Sequence, residues 1–453
     1  MDKNISNVRE VTLTEVLAAR DKRCEMQSRI LSEYHSTLLS FTMNIAGPVK
    51  NTPLIERAFE YGLSELFARL PSEKILFKEV HSDHCGCFAI IALDLAAEKV
   101  KSLCVDIEEV SPIGRLFDMD VLTPSGEKLE RKNQRSCIVC GKPGRECSAG
   151  RLHPVEEIVS VTNNIIRDHF ANIDSKQIGA LATRSLILEV ETTPKPGLVD
   201  LRNNGSHSDM DVGTFRKSAS ALEIYFTECV NIGIHTKKLA HSEAFNILRE
   251  AGLQAEKTMY THTDGVNTHK GLIYSLGVLL GAIGRTWTPE RPICEEAVII
   301  SEVKALVEES VRADLENAGG TTAGERLFLN HGLTGIRGEV ASGFSSVFKH
   351  SLPVYKSAMG DGLSSNDAGV LALLSLISSI DDTNIYHRGG LDGAVFAKES
   401  ASRLLAEFTN MQSVEELDDE FIKRRLSPGG AADLLAITYF FDLIEDLRAS
   451  DTK

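Results

Sequence analysis

The sequence predicts two domains, an N-terminal α/β domain of the α+β kind over residues 1–175 and a C-terminal all-α domain over residues 176–453. Three observations carry this. A chain of 453 residues exceeds the ~100–200 residues of one domain. Short apolar runs rich in β-formers gather between Lys74 and Val121. After Ile178 the chain alternates amphipathic helix and polar glycine loop, with few period-2 runs.

Composition narrows the function. Hydrophobic content is 42% and charged content 25%, the balance of a globular protein. The net charge of −15 argues against a nucleic-acid partner. Residues 1–175 carry 22 Lys and Arg against 26 Asp and Glu, which leaves −11 for the remainder. Within the first part, residues 128–151 hold seven basic and two acidic side chains, an island suited to phosphates or an acidic protein. Residues 1–10 lack the apolar core of a signal peptide. The most apolar run, 272–283, falls short of the ~20 residues that span a bilayer. Nine cysteines, an odd number, point to reduced thiols. The expectation is a cytoplasmic enzyme with no membrane partner.

In the first domain, residues 11–40 read as two helices and 54–70 as an amphipathic helix. Between them a Gly47-Pro48 break puts Asn44 and Lys50 on a loop with phosphate-binding chemistry. Residues 74–79, 87–95 and 103–107 read as strands. Next comes Gly114-Arg115-Leu116-Phe117-Asp118-Met119-Asp120-Val121. Residues two apart on a strand share a face, so Asp118 and Asp120 project together. Two such carboxylates have the chemistry to hold Mg2+ against a phosphate chain, and Arg115 stands beside them. Cys137-x-x-Cys140, Cys147 and His153 follow. Two readings stand for them: a tetrahedral Zn2+ site of three thiolates and an imidazole, or a reduced structural cluster. Residues 155–171 close the domain as a helix.

The motifs at 44–50, 114–121 and 137–153 resemble holo-citrate lyase synthase, the apo-citrate lyase phosphoribosyl-dephospho-CoA transferase. The resemblance covers most of residues 1–175. It implies transfer of a phosphoribosyl-dephospho-CoA group to a serine of the citrate lyase acyl carrier (gamma) subunit, with release of diphosphate. The Asp-x-Asp pair is also similar to nucleotidyltransferase sites, which by analogy implies a fold of that kind.

The second domain opens with a helix at 178–189. Two prolines and a glycine then force Thr192-Thr193-Pro194-Lys195-Pro196-Gly197 into a stiff loop. A polar loop at 203–211 carries His207, Asp209 and Asp211 ahead of a helix at 215–230. Acids are favoured at a helix start by the dipole alone, and the same pair has the chemistry to bind a divalent cation. Helices at 242–259 and 272–283 flank Gly265-Val266-Asn267-Thr268-His269-Lys270-Gly271. Asn267 or Thr268 caps the second helix, and its amides with His269 and Lys270 make a turn suited to phosphate. A helix at 293–310 precedes two glycine-rich loops, 319–326 and 331–339, the second with His331 and Arg337. Asn366-Asp367 caps a core helix at 368–380, Asp382 and a His387-Arg388-Gly389-Gly390 segment follow, and a last helix begins at Ser427-Pro428-Gly429-Gly430 with Asp433 in its first turn.

These loops together resemble the triphosphoribosyl-dephospho-CoA synthases of citrate lyase and their malonate decarboxylase relatives, over nearly the whole domain. The resemblance implies that ATP gives its triphosphoribosyl group to 3′-dephospho-CoA and that adenine leaves. The triphosphate is then gripped but not cut, a carboxylate takes a proton, and the transition state is oxocarbenium-like. Lys195, His207, Asn267, His269, Lys270, Arg337 and Arg388 are the candidates for phosphate or substrate contacts. Asp209, Asp211, Asp367 and Asp382 are the candidates for metal or base. The rivals are the same chemistry for malonate decarboxylase and a non-catalytic carrier-binding protein.

Overall fold

The computed structural model describes residues 9–131, 133–316, 333–408 and 410–450. The loop at 319–326 and His331 lie outside the described residues. The chain divides into two compact units, Met1–Ala171 and Asn172–Lys453.

The first unit is built on four strands, β1 (Thr37–Met43), β2 (Ile75–Asp83), β3 (Gly86–Leu93) and β4 (Phe117–Leu122), in the order β2-β3-β1-β4. Every pairing is antiparallel, so the unit is α+β. Helix α1 (Leu13–Tyr34) starts on a capping box between Thr12 and Glu15. It covers one sheet face, where Ile30 packs with Leu38, Phe88, Ile90 and Ala92. Helix α2 (Pro53–Phe67), capped by Thr52, meets the other face. There Phe41 stacks on Phe59 at 4.7 Å and meets Phe117 edge-on at 5.4 Å. Helix α3 (Ala97–Val110) packs beside β4.

Two expectations fail here for one reason. Residues 11–40 form one helix and then β1, not two helices. The middle of β1 is buried on both faces, so no period-2 alternation betrays it. Residues 103–107 belong to α3, not to a strand. Val100, Cys104 and Ile107 are buried at helical spacing, and the short apolar run hid that period.

After α4 (Gly144–Gly150) comes α5 (Val155–Glu191), one 37-residue helix where two were expected. The second unit continues with α6 (Val212–His235), α7 (His241–His262), α8 (Lys270–Thr286), α9 (Glu296–Glu316), α10 (Gly335–Ser342), α11 (Leu352–Gly360), α12 (Ser365–Ser379), α13 (Thr383–Ala406), α14 (Gln412–Lys423) and α15 (Gly429–Ser450). Its core is one large apolar cluster centred on α8, α12 and α15. Helices α6 and α8 touch backbone to backbone. A β-carbon at Gly233 would lie 2.2 Å from the Gly281 carbonyl oxygen, and one at Gly284 would lie 2.1 Å from that of Val230.

Two helix starts and one segment differ from expectation. Ser364, not Asn366-Asp367, caps α12; the Asn366 side chain instead makes two hydrogen bonds to the Thr193 backbone, at 2.8 and 2.7 Å. Helix α8 begins at Lys270 with His269 in the cap position, and Asn267 Oδ1 accepts the Lys270 N–H at 3.3 Å. Residues 387–390 lie within α13, whose helical path breaks only at Gly390. Among the described residues no single helix is long and apolar enough to cross a membrane.

Candidate active sites

A cavity of about 880 Å³ opens in the second unit. Its wall is supplied by the 195–199 loop, the starts of α8, α10, α13 and α15, and faces of α6 and α7. The loop is held by two acids. Asp200 accepts from the backbone N–H of Lys195, Arg202 and Asn203 at 2.8, 2.7 and 3.0 Å. Buried Asp418 accepts from Gly197 N–H at 2.8 Å and from the Arg202 and Asn203 side chains at 2.6 and 2.7 Å. Lys195 is thereby delivered inward. Its ammonium donates to Glu189 Oε1 at 2.5 Å and to the Glu189 carbonyl at 2.7 Å, and both residues are buried. Burial raises the Glu189 pKa, and Lys195 opposes the rise.

His269 is also buried. Thr268 Oγ1 donates to Ser218 Oγ at 2.7 Å, and Ser218 Oγ lies 2.8 Å from His269 Nδ1. Thr268 donates to Ser218, and the acceptor within reach of the Ser218 hydroxyl proton among the described residues is Nδ1. The imidazole proton then sits on Nε2, which is buried and has no hydrogen-bond partner among the described residues, while His269 as a residue belongs to the cavity lining. Burial, and then Lys195, push the His269 pKa down to about 3, so the ring is neutral. It acts as a hydrogen-bond donor, not as the cation its sequence position suggests.

Asp433, in the first turn of α15, also lines the cavity. Burial raises its pKa well above the ordinary range, and Glu189 and Asp382 push the same way. Its carboxylate rests against Gly271, where a β-carbon would lie 1.9 Å from Oδ2. Asp382 is buried and faces a smaller neighbouring cavity of about 260 Å³. It accepts from the N–H groups of Asn384, Ile385 and Ala431 at 2.8, 3.4 and 2.9 Å, tying the start of α13 to that of α15.

His207, Asn267, Lys270, Arg337 and Arg388 all line the larger cavity. Arg388 donates to Ser206 O at 3.1 Å and reaches His207 Nδ1 at 3.4 Å; His207 Nε2 meets Ser427 Oγ at 2.9 Å. Since arginine only donates, Nδ1 accepts and Nε2 carries the proton. Lys270 pairs with Glu256 at 2.9 Å. Asp209 and Asp211 are exposed and stand outside the cavity lining, although His207 and Met210 between them belong to it. Asp211 caps α6, accepting the Thr214 N–H at 2.8 Å. Asp367 is half-buried beside Asn366 and also outside the lining.

In the first unit, β4 is an edge strand on which Asp118 and Asp120 share one face, opposite Thr42 and Ser40 of β1. Asp118 is exposed, yet the protein around it, followed by Asp120, raises its pKa. Asp120 accepts from Lys128 Nζ at 2.7 Å. The Met119 N–H between them donates to buried Glu108 at 2.8 Å, and Glu108 also takes Arg131 and Arg135 at 2.6 and 2.5 Å. The Asn44 N–H donates to Leu116 O at 2.8 Å, which seats the 44–50 loop beside the start of β4. Asn44 itself is exposed; Lys50 donates to Ile45 O at 2.6 Å, and burial lowers its pKa. Arg115 donates to the Ser136 carbonyl.

Sequence reasoning passed over Glu189 and Glu108 as functional groups and gave Asp433 no role. Both glutamates left a signal. Glu189 follows Ala182, Ser185 and Leu186 on the buried stripe of α5, and Glu108 follows Cys104 by one helical turn in α3. An acid on an apolar stripe must find a partner inside.

Comparison with known proteins agrees with the two-part arrangement. Residues 175–452 match the family described as ATP:dephospho-CoA triphosphoribosyl transferase (CitG), and residues 11–169 match apo-citrate lyase phosphoribosyl-dephospho-CoA transferase (CitX). The chain is 35% identical to Protein CitXG of Haemophilus influenzae, over 95% of this chain and 96% of that protein. It is 30% identical to Protein CitXG of Leuconostoc mesenteroides subsp. cremoris over the same shares. The 2-(5''-triphosphoribosyl)-3'-dephosphocoenzyme-A synthase of Pectobacterium atrosepticum is 39% identical over 62% of this chain and 93% of that one.

Proposed function

The chain belongs to the CitG and CitX transferase families, joined as in the CitXG proteins, and from that premise we propose which residues carry each half of the chemistry. It is a bifunctional transferase of citrate lyase prosthetic-group synthesis. One activity makes 2′-(5″-triphosphoribosyl)-3′-dephospho-CoA from ATP and 3′-dephospho-CoA and frees adenine. The other passes the phosphoribosyl-dephospho-CoA group to a serine of an acyl carrier protein and frees diphosphate. The malonate decarboxylase alternative finds no support among the similar proteins.

We assign the first activity to residues 176–453, an all-α domain, and the second to residues 1–175, a nucleotidyltransferase-like domain. The reading of the second domain is carried by one observation: Glu189, Lys195, His269 and Asp433 gather at a single cavity. The bond to be broken joins the ribose C1′ to adenine, so positive charge develops at the ribose and negative charge on the base. Asp433, a carboxyl on the cavity wall whose pKa burial raises, takes the proton of the attacking 2′-hydroxyl. The neutral His269 Nε2–H donates to the departing adenine. The start of α8 with Asn267 and Lys270, together with Arg337 and Arg388, holds the triphosphate. Asp382 keeps Asp433 in place through the α15 start. Asp209 and Asp211, beside His207, are the carboxylates available to a Mg2+ on the triphosphate.

In the first domain Asp118 and Asp120 supply hard oxygen ligands on one strand face, the donor set that suits Mg2+. When bound, that ion supplies charge to the diphosphate leaving group. Arg115, Lys50 and Asn44 flank the same strand end and serve the phosphates. The acceptor of that group is the acyl carrier (gamma) subunit of citrate lyase, and the enzyme works in the cytoplasm.

The test is adenine release from ATP. It is expected to require 3′-dephospho-CoA, to fall by ~10²–10⁴-fold in Asp433→Asn and to persist in Asp118→Asn. Release that survives in Asp433→Asn at the wild-type rate would remove Asp433 from the mechanism.

A further inference from the structure

Three cysteines and a histidine of the first unit converge on one another. One ligand atom from each of Cys137, Cys140, Cys147 and His153 lies within 4.8 Å of every other. Cys140 Sγ is 3.4 Å from Cys147 Sγ and 3.3 Å from His153 Nε2. Tetrahedral zinc, with Zn–S of ~2.3 Å and Zn–N of ~2.0 Å, separates its ligand atoms by about 3.5–3.8 Å. The two Cys140 contacts come close to that spacing, and all four atoms fall within 4.8 Å of one another, near enough for one ion to gather them.

The backbone is shaped for the same purpose. Cys137 and Cys140 stand on a tight turn, where Cys137 N–H donates to Lys142 O at 2.6 Å and Gly141 N–H to Cys137 O at 3.0 Å. The Val139 N–H points at Cys137 Sγ at 3.4 Å, an amide–sulfur contact that stabilises a thiolate. Cys147 comes from α4 and is buried. Glu157, on the first turn of α5, lies 3.3 Å from His153 Nδ1. That contact turns Nε2 toward the sulfurs, and a carboxylate on the far nitrogen is the usual partner of a metal-bound histidine.

We propose that Cys137, Cys140, Cys147 and His153 form a closed structural Zn2+ site that braces the acidic strand of the first unit. All four positions come from the protein, so no place is left for substrate and the ion has no part in the chemistry. What it braces is the segment just before Cys137. Arg135 donates to Phe117 O at 2.7 Å, and Arg131 and Arg135 clamp the Glu108 that takes the Met119 N–H between Asp118 and Asp120. The bracing part of the proposal rests on the reading of Asp118 and Asp120 as the carrier-transfer site; the metal part does not.

The test uses the full-length protein, isolated under reducing conditions. Elemental analysis is expected to find about one zinc per chain, and Cys140→Ser and Cys147→Ser to lose it. Glu157→Gln, an exposed change that spares the fold, is expected to weaken zinc about 10–100-fold in competition with a chelator. Cobalt in place of zinc is expected to give the absorption of tetrahedral thiolate ligation. In Cys147→Ser, carrier labelling falls while adenine release holds. Absence of metal from the wild-type protein, full zinc in both cysteine variants, or a Cys140–Cys147 disulfide in the fresh protein would each overturn the site. Zinc loss with undiminished carrier labelling would leave the site standing and overturn the bracing.

Discussion

The Lys195 ammonium and the Glu189 carboxylate meet at 2.5 Å with side chains only 1% and 4% exposed. Neither charge has water to fall back on, so each depends on the other. Lys195→Met is expected to cost ~3–5 kcal/mol, because it strands a buried acid. Lys195→Met with Glu189→Leu is expected to recover most of that loss while remaining unable to release adenine. Urea unfolding followed through Trp287, the chain's single tryptophan and buried in the second unit, reads the stability. An additive double mutant would show that the pair is not a unit.

Asp433 allows no β-carbon at residue 271. Gly271→Ala must turn the carboxylate out of its place, and Asp433→Asn removes the base without moving it. Both are expected to lower the rate of adenine release by ~10²–10⁴-fold. ATP binding, measured by calorimetry, is expected to hold in Asp433→Asn.

His269 makes the second unit sensitive to acid. Its folded pKa is about 3 against an ordinary 6.5. Between those values the unfolded chain binds a proton that the folded chain refuses, so stability rises with pH across this window. It is lost as pH falls below 6.5, by up to about 1.4 kcal/mol per unit. His269→Gln is expected to flatten that slope. Unfolding midpoints compared at several pH values from 6.5 downward check it, and equal slopes in both proteins would mean that His269 is protonated when folded.

Asp118→Asn separates the two reactions. Carrier labelling from supplied triphosphoribosyl-dephospho-CoA is expected to disappear, with adenine release unchanged. Extra Mg2+ is expected to restore part of the labelling if the lost carboxylate served the ion. Loss of both activities together would point to a shared site.

The polar loops were legible because polar residues and glycines interrupt apolar helices, and His207, Asn267, Lys270, Arg337 and Arg388 do line one cavity. The roles inside it were less legible. His269 carries the sequence signature of a cation, yet Ser218, 51 positions away, decides its tautomer, and burial decides its charge. Asp382 has the look of a free acid, but backbone amides of α13 and α15 claim it. Glu189 and Glu108 show the converse, since each sits on a stripe where periodicity expects an apolar side chain. Strand β1 escaped notice because burial on both faces erases alternation. In each case the missing information is a contact between distant parts of the chain.

The contact of Gly233 with Gly281 and Gly284 works as a gauge. Ser218 rides on α6 and His269 stands at the head of α8, so the spacing of the two helices sets whether Ser218 reaches the imidazole. A single methyl group at residue 233 or 284 would act as a shim, prising the helices apart far from any nucleotide. The proton on His269 would then lose its assigned seat, so the proposed donation to adenine would weaken through a change at a position outside the cavity lining.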